Sequence, residues 1–271
     1  MPPNIFRFLR ASGRYPYHSL RGKVRYLQFL LLYLLGRRGF GDMSIVPLVK
    51  RMYRLGSDDE FFTRYALAIQ GFEELWKSRS RESREDIEHF YQEHDKDIWR
   101  QAFLSERSYE YKQKILHTYH IIKEEGLSHS DPILDYGGGA GVLVHYLARE
   151  GYRAVDMADI PSHTLSFVRQ TMSDLLAHVI TVDGLEDFGR ERYAVIVSLA
   201  CLEHTLEPLN ITRKLVAALR RGGLFIVDFP VETDFLGSHT RQAQEQRPAA
   251  FVFLRETCEE LVPYHLYRRK R

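Results

Sequence analysis

Ile133-Leu134-Asp135-Tyr136-Gly137-Gly138-Gly139-Ala140-Gly141 is the stretch that decides the fold. Pro132 to Tyr136 is a short apolar run with the pattern of a buried strand, and Val142 to Arg149 follows with Val142, Leu143, Tyr146 and Leu147 spaced for one helical stripe. Between them the chain turns on Gly137, Gly139 and Gly141. Glycine serves where φ must be positive or where a ligand lies against the backbone. A strand, a glycine turn and a helix N-terminus form a nucleotide-type pocket at the carboxyl end of a sheet.

Two nucleotide loops are excluded. A P-loop needs Gly-Lys-Ser/Thr at the helix start, and Gly141-Val142-Leu143 stands there instead. The dinucleotide pattern G-x-G-x-x-G fails from Gly137 at Val142 and from Gly139 at Val144. The pattern present, Asp135-x-Gly137-x-Gly139-x-Gly141, resembles the first motif of class I S-adenosylmethionine-dependent methyltransferases of the small-molecule type. The resemblance implies S-adenosylmethionine as cofactor, Asp135 near its methionine amino group, and the three glycines against methionine and ribose. A glycine turn with no ligand is the alternative.

The rest of the half-chain continues the alternation. Arg153–Ala158 reads as strand two, with Asp159 at its end eighteen residues after Gly141. An acid here can accept both ribose hydroxyls; Asp156 competes but sits mid-strand. Ser162 is placed to cap a helix running through Leu165, Val168, Met172 and Leu175. His178–Val182 is strand three, and Tyr193–Leu199 is strand four, apolar enough to be covered on both faces. Leu209–Leu219 reads as a helix stopped by Gly222-Gly223, and Leu224–Phe229 as strand five.

Asp183 resembles the family acid that contacts the adenine amino group, with Leu185 and Phe188 against the base; an Asx-type turn is the alternative. Leu202-Glu203-His204 resembles the Leu-Glu-His segment after strand four in many small-molecule methyltransferases, including those of quinone biosynthesis. The resemblance spans about residues 132–230 and implies cofactor contacts at Asp135, Gly137, Gly139, Gly141, Asp159, Ile160, Asp183, Gly184, Leu199 and Glu203. His204 is the candidate general base, with the pKa of a histidine in its favour and helix capping as the plainer role. Glu203 holds the histidine or faces the cofactor, and Cys201 reads as a small core residue. The fold implied is α/β: a Rossmann-like, doubly wound, mostly parallel seven-stranded sheet with one antiparallel strand, over residues 131–271. Ala250–Leu254 and Leu261–Arg268 are the expected last strands.

Residues 1–130 read as an added helical region that covers the pocket. Helices are expected from Asp58 through Phe61, Tyr65 and Ile69, over Asp86–Phe103, and over Tyr109–Glu125, with a polar stretch at Ser78–Glu85. His89, Glu93 and His94 read as a solvated helix face, as do His117 and His120, so no metal site is predicted. The chain's net charge of +2 is lopsided: residues 1–57 hold eleven Lys/Arg and Asp42, giving +10 and leaving 2 − 10 = −8 for the rest. The same block carries the ten-residue apolar run Tyr26–Leu35, short of the roughly 20 residues of a spanning helix. It reads as a buried core or homodimer helix, or as an interfacial helix on an anionic membrane surface; an acidic carrier protein is a further partner for its charge.

The 271 residues, 44% hydrophobic and 27% charged, describe a globular chain with a large core. Two cysteines point to a reducing compartment, hence a cytoplasmic location with peripheral membrane contact as the variant. The leading function is methyl transfer to oxygen or carbon of a small, lipophilic acceptor. The others are an RNA or protein methyltransferase using the basic block, with no nucleic-acid module to support it, and a non-catalytic interaction module. Leu199-Ala200-Cys201-Leu202 stands where enzymes methylating base amino groups or protein glutamine carry Asp/Asn-Pro-Pro-Tyr/Phe.

Overall fold

In the computed structural model the described residues are 43–70, 75, 78–80, 83–175, 178–182, 188–230 and 239–271. The run Tyr26–Leu35, most of the basic block, and Asp183, Gly184 and Leu185 lie outside them. Among the described residues, five helices precede the sheet: α1 (Val46–Tyr53), α2 (Asp58–Ile69), α3 (Arg84–Glu93), α4 (Lys96–Arg107) and α5 (Tyr109–Glu124). Then come β1 (Ile133–Tyr136), α6 (Val142–Arg149), β2 (Val155–Asp159), α7 (His163–Thr171), β3 (His178–Thr181), β4 (Tyr193–Leu199) and α8 (Pro208–Ala218). The chain closes with β5 (Leu219–Asp228), α9 (Arg241–Thr257), β6 (Cys258–Val262) and β7 (Leu266–Arg269).

The strand order is β3-β2-β1-β4-β5-β7-β6, with β7 antiparallel to both neighbours and the other ladders parallel. This is the doubly wound sheet expected. β1 is buried throughout and lies between β2 and β4, so the chain's winding reverses there. Crevices open at such a switch point, on the carboxyl side of the strands. The register sets Tyr136 beside Ala158 and Asp135 beside Val197, so the loops after β1, β2 and β4 rise together.

Alternation along the strands sorts residues to two cores. Ile133, Val195, Leu224 and Ile226 join α1, α2, α4, α5, α6 and α7 on one face; Leu134, Ile196, Phe225 and Val227 join α8 and α9 on the other. Helices α1, α2, α4 and α5 thus share a core with the sheet.

Four local expectations are corrected. Residues 86–103 fall in two helices, broken at His94, which is extended, and Asp95, whose Oδ2 accepts from Tyr53 Oη at 3.0 Å and Trp99 Nε1 at 3.1 Å. The helix after β4 ends at Ala218, and Gly222-Gly223 lie inside β5, where Gly222 has φ +77°. Ala250–Leu254 is helical: Ala243, Arg247, Ala250, Phe251 and Leu254 make one buried stripe of α9, and it carries Pro248 within it. His117 and His120 are buried, because α5 lies against the sheet, and His117 stacks on His265 with ring centroids 5.3 Å apart. The basic end is fastened to the fold, since Arg269 donates to the carbonyls of Ala217 and Leu219, and Lys270 to those of Arg255 and Glu256, at the ends of two helices.

Candidate active site

A cleft of about 390 Å³ opens at the carboxyl ends of β1, β2 and β4. Its floor is Gly137, Gly139, Asp159 and Ile160. Gly137, Gly139 and Gly141 all take positive φ, +74°, +55° and +72°. A Cβ at Gly137 would overlap the Cys201 side chain, and one at Gly139 would overlap Gln101. The two glycines are therefore fixed by close approach as well as by backbone conformation. Gly141 stands apart from the cleft as the N-cap of α6, packed on Met172 and Val168.

Asp159 Oδ2 accepts from Gly139 N at 2.7 Å, and its Oδ1 from Ile160 N at 2.8 Å. Burial raises its carboxyl to about 6, and these two N–H groups oppose the rise. Asp156 is the structural acid: buried, it holds Arg192 at 2.5 Å, His178 at 2.8 Å and the Tyr193 hydroxyl at 2.7 Å. Asp135 lies beneath Gly138 and outside the cleft lining; burial, then the charge of Asp159, raises it to about 7.

At the other end the Leu-Glu-His segment forms a 3₁₀ turn, Leu202–His204. His204 lines the cleft, whereas Glu203 points inward at 1% exposure. Leu199 also stands back, packed against the core, and its successors Ala200 and Cys201 face the cleft, Ala200 with φ +51°. Burial raises the Cys201 thiol well above its ordinary value, so it is a poor nucleophile. Phe188 lies in the core, edge-to-face with Tyr136 at 5.8 Å, rather than on the cleft wall.

Several lining residues were missed from the sequence. Gln101 of α4 accepts from Ala140 N at 2.9 Å, directly over the glycine loop, and Tyr91, Asp97 and Arg100 line the same wall. Arg84 of α3 donates to the Val182 carbonyl at 2.6 Å and ties the helical cover to the end of β3. Nothing in the periodicity of α3 and α4 marks these side chains. His239, thirty-five residues beyond His204, faces it edge-on with ring centroids 5.5 Å apart. Nitrogen or oxygen atoms of Glu203, His204 and His239 lie within 4.8 Å of one another. The helix face of His89 and Glu93 is exposed, with His89 Nε2 2.9 Å from Glu93 Oε1.

Sheet order, glycine loop and acid after β2 together define the fold and cofactor cleft of a class I S-adenosylmethionine-dependent methyltransferase. The residues fit that cofactor: the glycine cradle leaves no room for a Cβ, and Asp159 presents two carboxylate oxygens beside it. Residues 103–259, more than half the chain, match the methyltransferase-domain family, and the chain belongs to that family. A ubiquinone biosynthesis O-methyltransferase of Vibrio vulnificus is 28% identical over 109 residues, 39% of this chain and 46% of that protein. The protein of the same name from Serratia proteamaculans is 26% identical over 108 residues, 38% and 44% of the two chains. The match thus spans less than half the length of these curated relatives. A solved S-adenosylmethionine-dependent methyltransferase from Mesorhizobium loti is 18% identical, covering 40% of this chain and 51% of its own at TM-score 0.34.

Proposed function

We propose that the protein transfers a methyl group from S-adenosylmethionine to an oxygen of a small, lipophilic molecule whose hydroxyl is activated at His204. One observation carries the reading: a single cleft joins the glycine loop and Asp159 to His204, with apolar Ile87, Leu206 and Ile211 along it. The name of the two curated relatives supports oxygen as the acceptor atom.

The cofactor supplies a methyl group already activated on a sulfonium. The chain's own work is to hold and align. Asp159 and the glycine loop fix the ribose and methionine side, and α3 and α4 close over them and exclude water. Alignment of the reacting atoms is the largest contribution available to such a site. His204 accepts the hydroxyl proton at the cleft's far end. The basic, apolar residues 1–57 are proposed to hold the protein at an anionic membrane surface, where a lipophilic acceptor resides. Among the described residues, no helix is long and apolar enough to cross a membrane.

The test is incubation with methyl-labelled cofactor and small-molecule fractions, including extracted lipids, followed by mass analysis of the labelled product. His204→Ala should lower turnover by roughly 10²–10⁴ with cofactor affinity retained. Label found only in protein or RNA would reject the small-molecule reading.

A further inference from the structure

The amino-acid end of S-adenosylmethionine is a zwitterion, so it needs donors for a carboxylate and an acceptor for an ammonium. The glycine loop has little left for the carboxylate. Gly137 N donates to the Ala158 carbonyl at 2.7 Å, Gly139 N to Asp159 Oδ2, Ala140 N to Gln101 Oε1, and Gly141 N to the Gly138 carbonyl at 2.9 Å. Asp135, the acid expected beside the ammonium, lies beneath Gly138 and outside the cleft lining. Polar groups of both kinds reach this part of the cleft from α4 instead, through Asp97, Arg100 and Gln101.

We propose that Gln101 and Asp97, one turn apart on α4, hold the amino-acid end of the cofactor: Gln101 Nε2 donates to its carboxylate, and Asp97 accepts from its ammonium. The inference rests on the reading that this cleft binds S-adenosylmethionine. The sense of the Gln101 amide is fixed. The Ala140 N–H can meet only its oxygen, at 2.9 Å, so the NH2 end with two donors is left for the cleft. A Cβ on Gly139 would overlap Gln101 Nε2, which places those donors directly against the glycine cradle.

Asp97 shares a helix face with Gln101, four residues on. Its side chain is 13% exposed, and Arg100 Nη1 stands 3.4 Å from its Oδ1. That is long for a charge-assisted bond, so the carboxylate keeps acceptor capacity for a ligand. Burial raises the Asp97 carboxyl, Arg100 opposes the rise, and an ammonium beside it would oppose it further. Its charge is felt at Asp159, the acid assigned to the ribose. Beyond Asp159 the cleft turns apolar, with Ile160 and Val182 at the ends of β2 and β3. That side suits the base, which directs the charged end of the cofactor toward α4.

The experiment is calorimetry on the full chain at about pH 8, where free carboxyls are ionised. It compares S-adenosylhomocysteine, its decarboxylated analogue, which keeps the ammonium, and methylthioadenosine, which lacks the whole amino-acid end. Competition against S-adenosylhomocysteine supplies the constant of any ligand too weak for direct heats. Gln101→Glu keeps an oxygen on the Ala140 N–H and replaces the NH2 by a second oxygen. It should weaken S-adenosylhomocysteine by about 10- to 100-fold, the range for a lost hydrogen bond to a charged group, without weakening the decarboxylated analogue. Asp97→Asn should weaken both of those ligands and leave methylthioadenosine unchanged. Wild-type affinity for S-adenosylhomocysteine in Gln101→Glu overturns the proposal. So does an equal loss for all three ligands, which would make Gln101 a support of the loop alone. Tighter binding by Gln101→Ala also overturns it, because the side chain would then fill the cofactor's place. Should Gln101→Glu not fold, Gln101→Leu decides: the preference for S-adenosylhomocysteine over its decarboxylated analogue falls if the proposal holds and stays if it does not. Wild-type protein that binds none of the three ligands would sink the cofactor reading itself.

Discussion

Asp159→Asn separates what this acid does for the cofactor from what it does to stability. The wild-type carboxyl moves from an ordinary 3.8 to about 6 on folding, chiefly through burial. At about 1.4 kcal/mol per pH unit, that corresponds to about 3 kcal/mol. A raised acid contributes stability that is complete below about 3.8 and lost as pH rises through about 6. The asparagine variant has no such loss. It gives up one acceptor oxygen, so one of Gly139 N and Ile160 N loses its bond, at about 1–3 kcal/mol independent of pH. About 1 kcal/mol of the wild-type loss is already complete at pH 4.5, so the stability of the variant minus that of wild type should climb by about 2 kcal/mol between pH 4.5 and 8. Loss of the Asp159 charge also lets Asp135 ionise more easily, which adds to the climb. Urea unfolding across that range measures it. Cofactor affinity at pH 8 should fall by about 1.5–3 kcal/mol, the value of a hydrogen bond to a charged group. A stability difference that is flat with pH would refute the reasoning about burial, and unchanged affinity would move the ribose contact elsewhere.

Asp156→Ala should do the reverse: lower stability by about 3 kcal/mol, toward the low end for a broken buried pair because Arg192 is 39% exposed, with cofactor affinity intact; weakened binding without destabilisation would contradict the roles assigned to the two acids. Gly137→Ala should lower stability by about 1–3 kcal/mol from its positive φ alone, and the double variant with Cys201→Ala should recover the part due to overlap with the thiol; equal stability of the single variant and wild type in urea would refute the close approach. For the basic first residues, sedimentation with anionic vesicles should fall as salt rises and vanish on deleting residues 1–40; no sedimentation at low salt, or unfolding of the remainder, would return the segment to the fold.

What the sequence revealed was local. Tyr193–Leu199 was read with its observed bounds because a continuous apolar run is diagnostic where both faces are covered. The glycine spacing carried Gly137 and Gly139 to the cleft, and the position of Asp159 after β2 carried it there too. Gly141, Leu199 and Glu203 share those motifs yet stand back from the cleft, since a motif does not state which side of a turn each residue faces. Ala250–Leu254 misled because five apolar residues fit a strand or one buried stripe of a helix, and only the wider spacing from Ala243 decides. His117 and His120 have the pattern of a solvated face but are buried because their helix covers the sheet, a fact of packing that local sequence does not carry. His239 reaches His204 through the tertiary bonds of Thr240, and no local pattern could announce it.

The central claim is that this cleft binds the methyl donor. Isothermal calorimetry with S-adenosylhomocysteine on the full chain tests it most directly, because it needs no knowledge of the acceptor. One site should appear, its affinity should weaken in Asp159→Asn, and ligand at 100 times the dissociation constant should stabilise the fold by about 2.7 kcal/mol. No heat and no thermal shift at millimolar ligand would contradict the account.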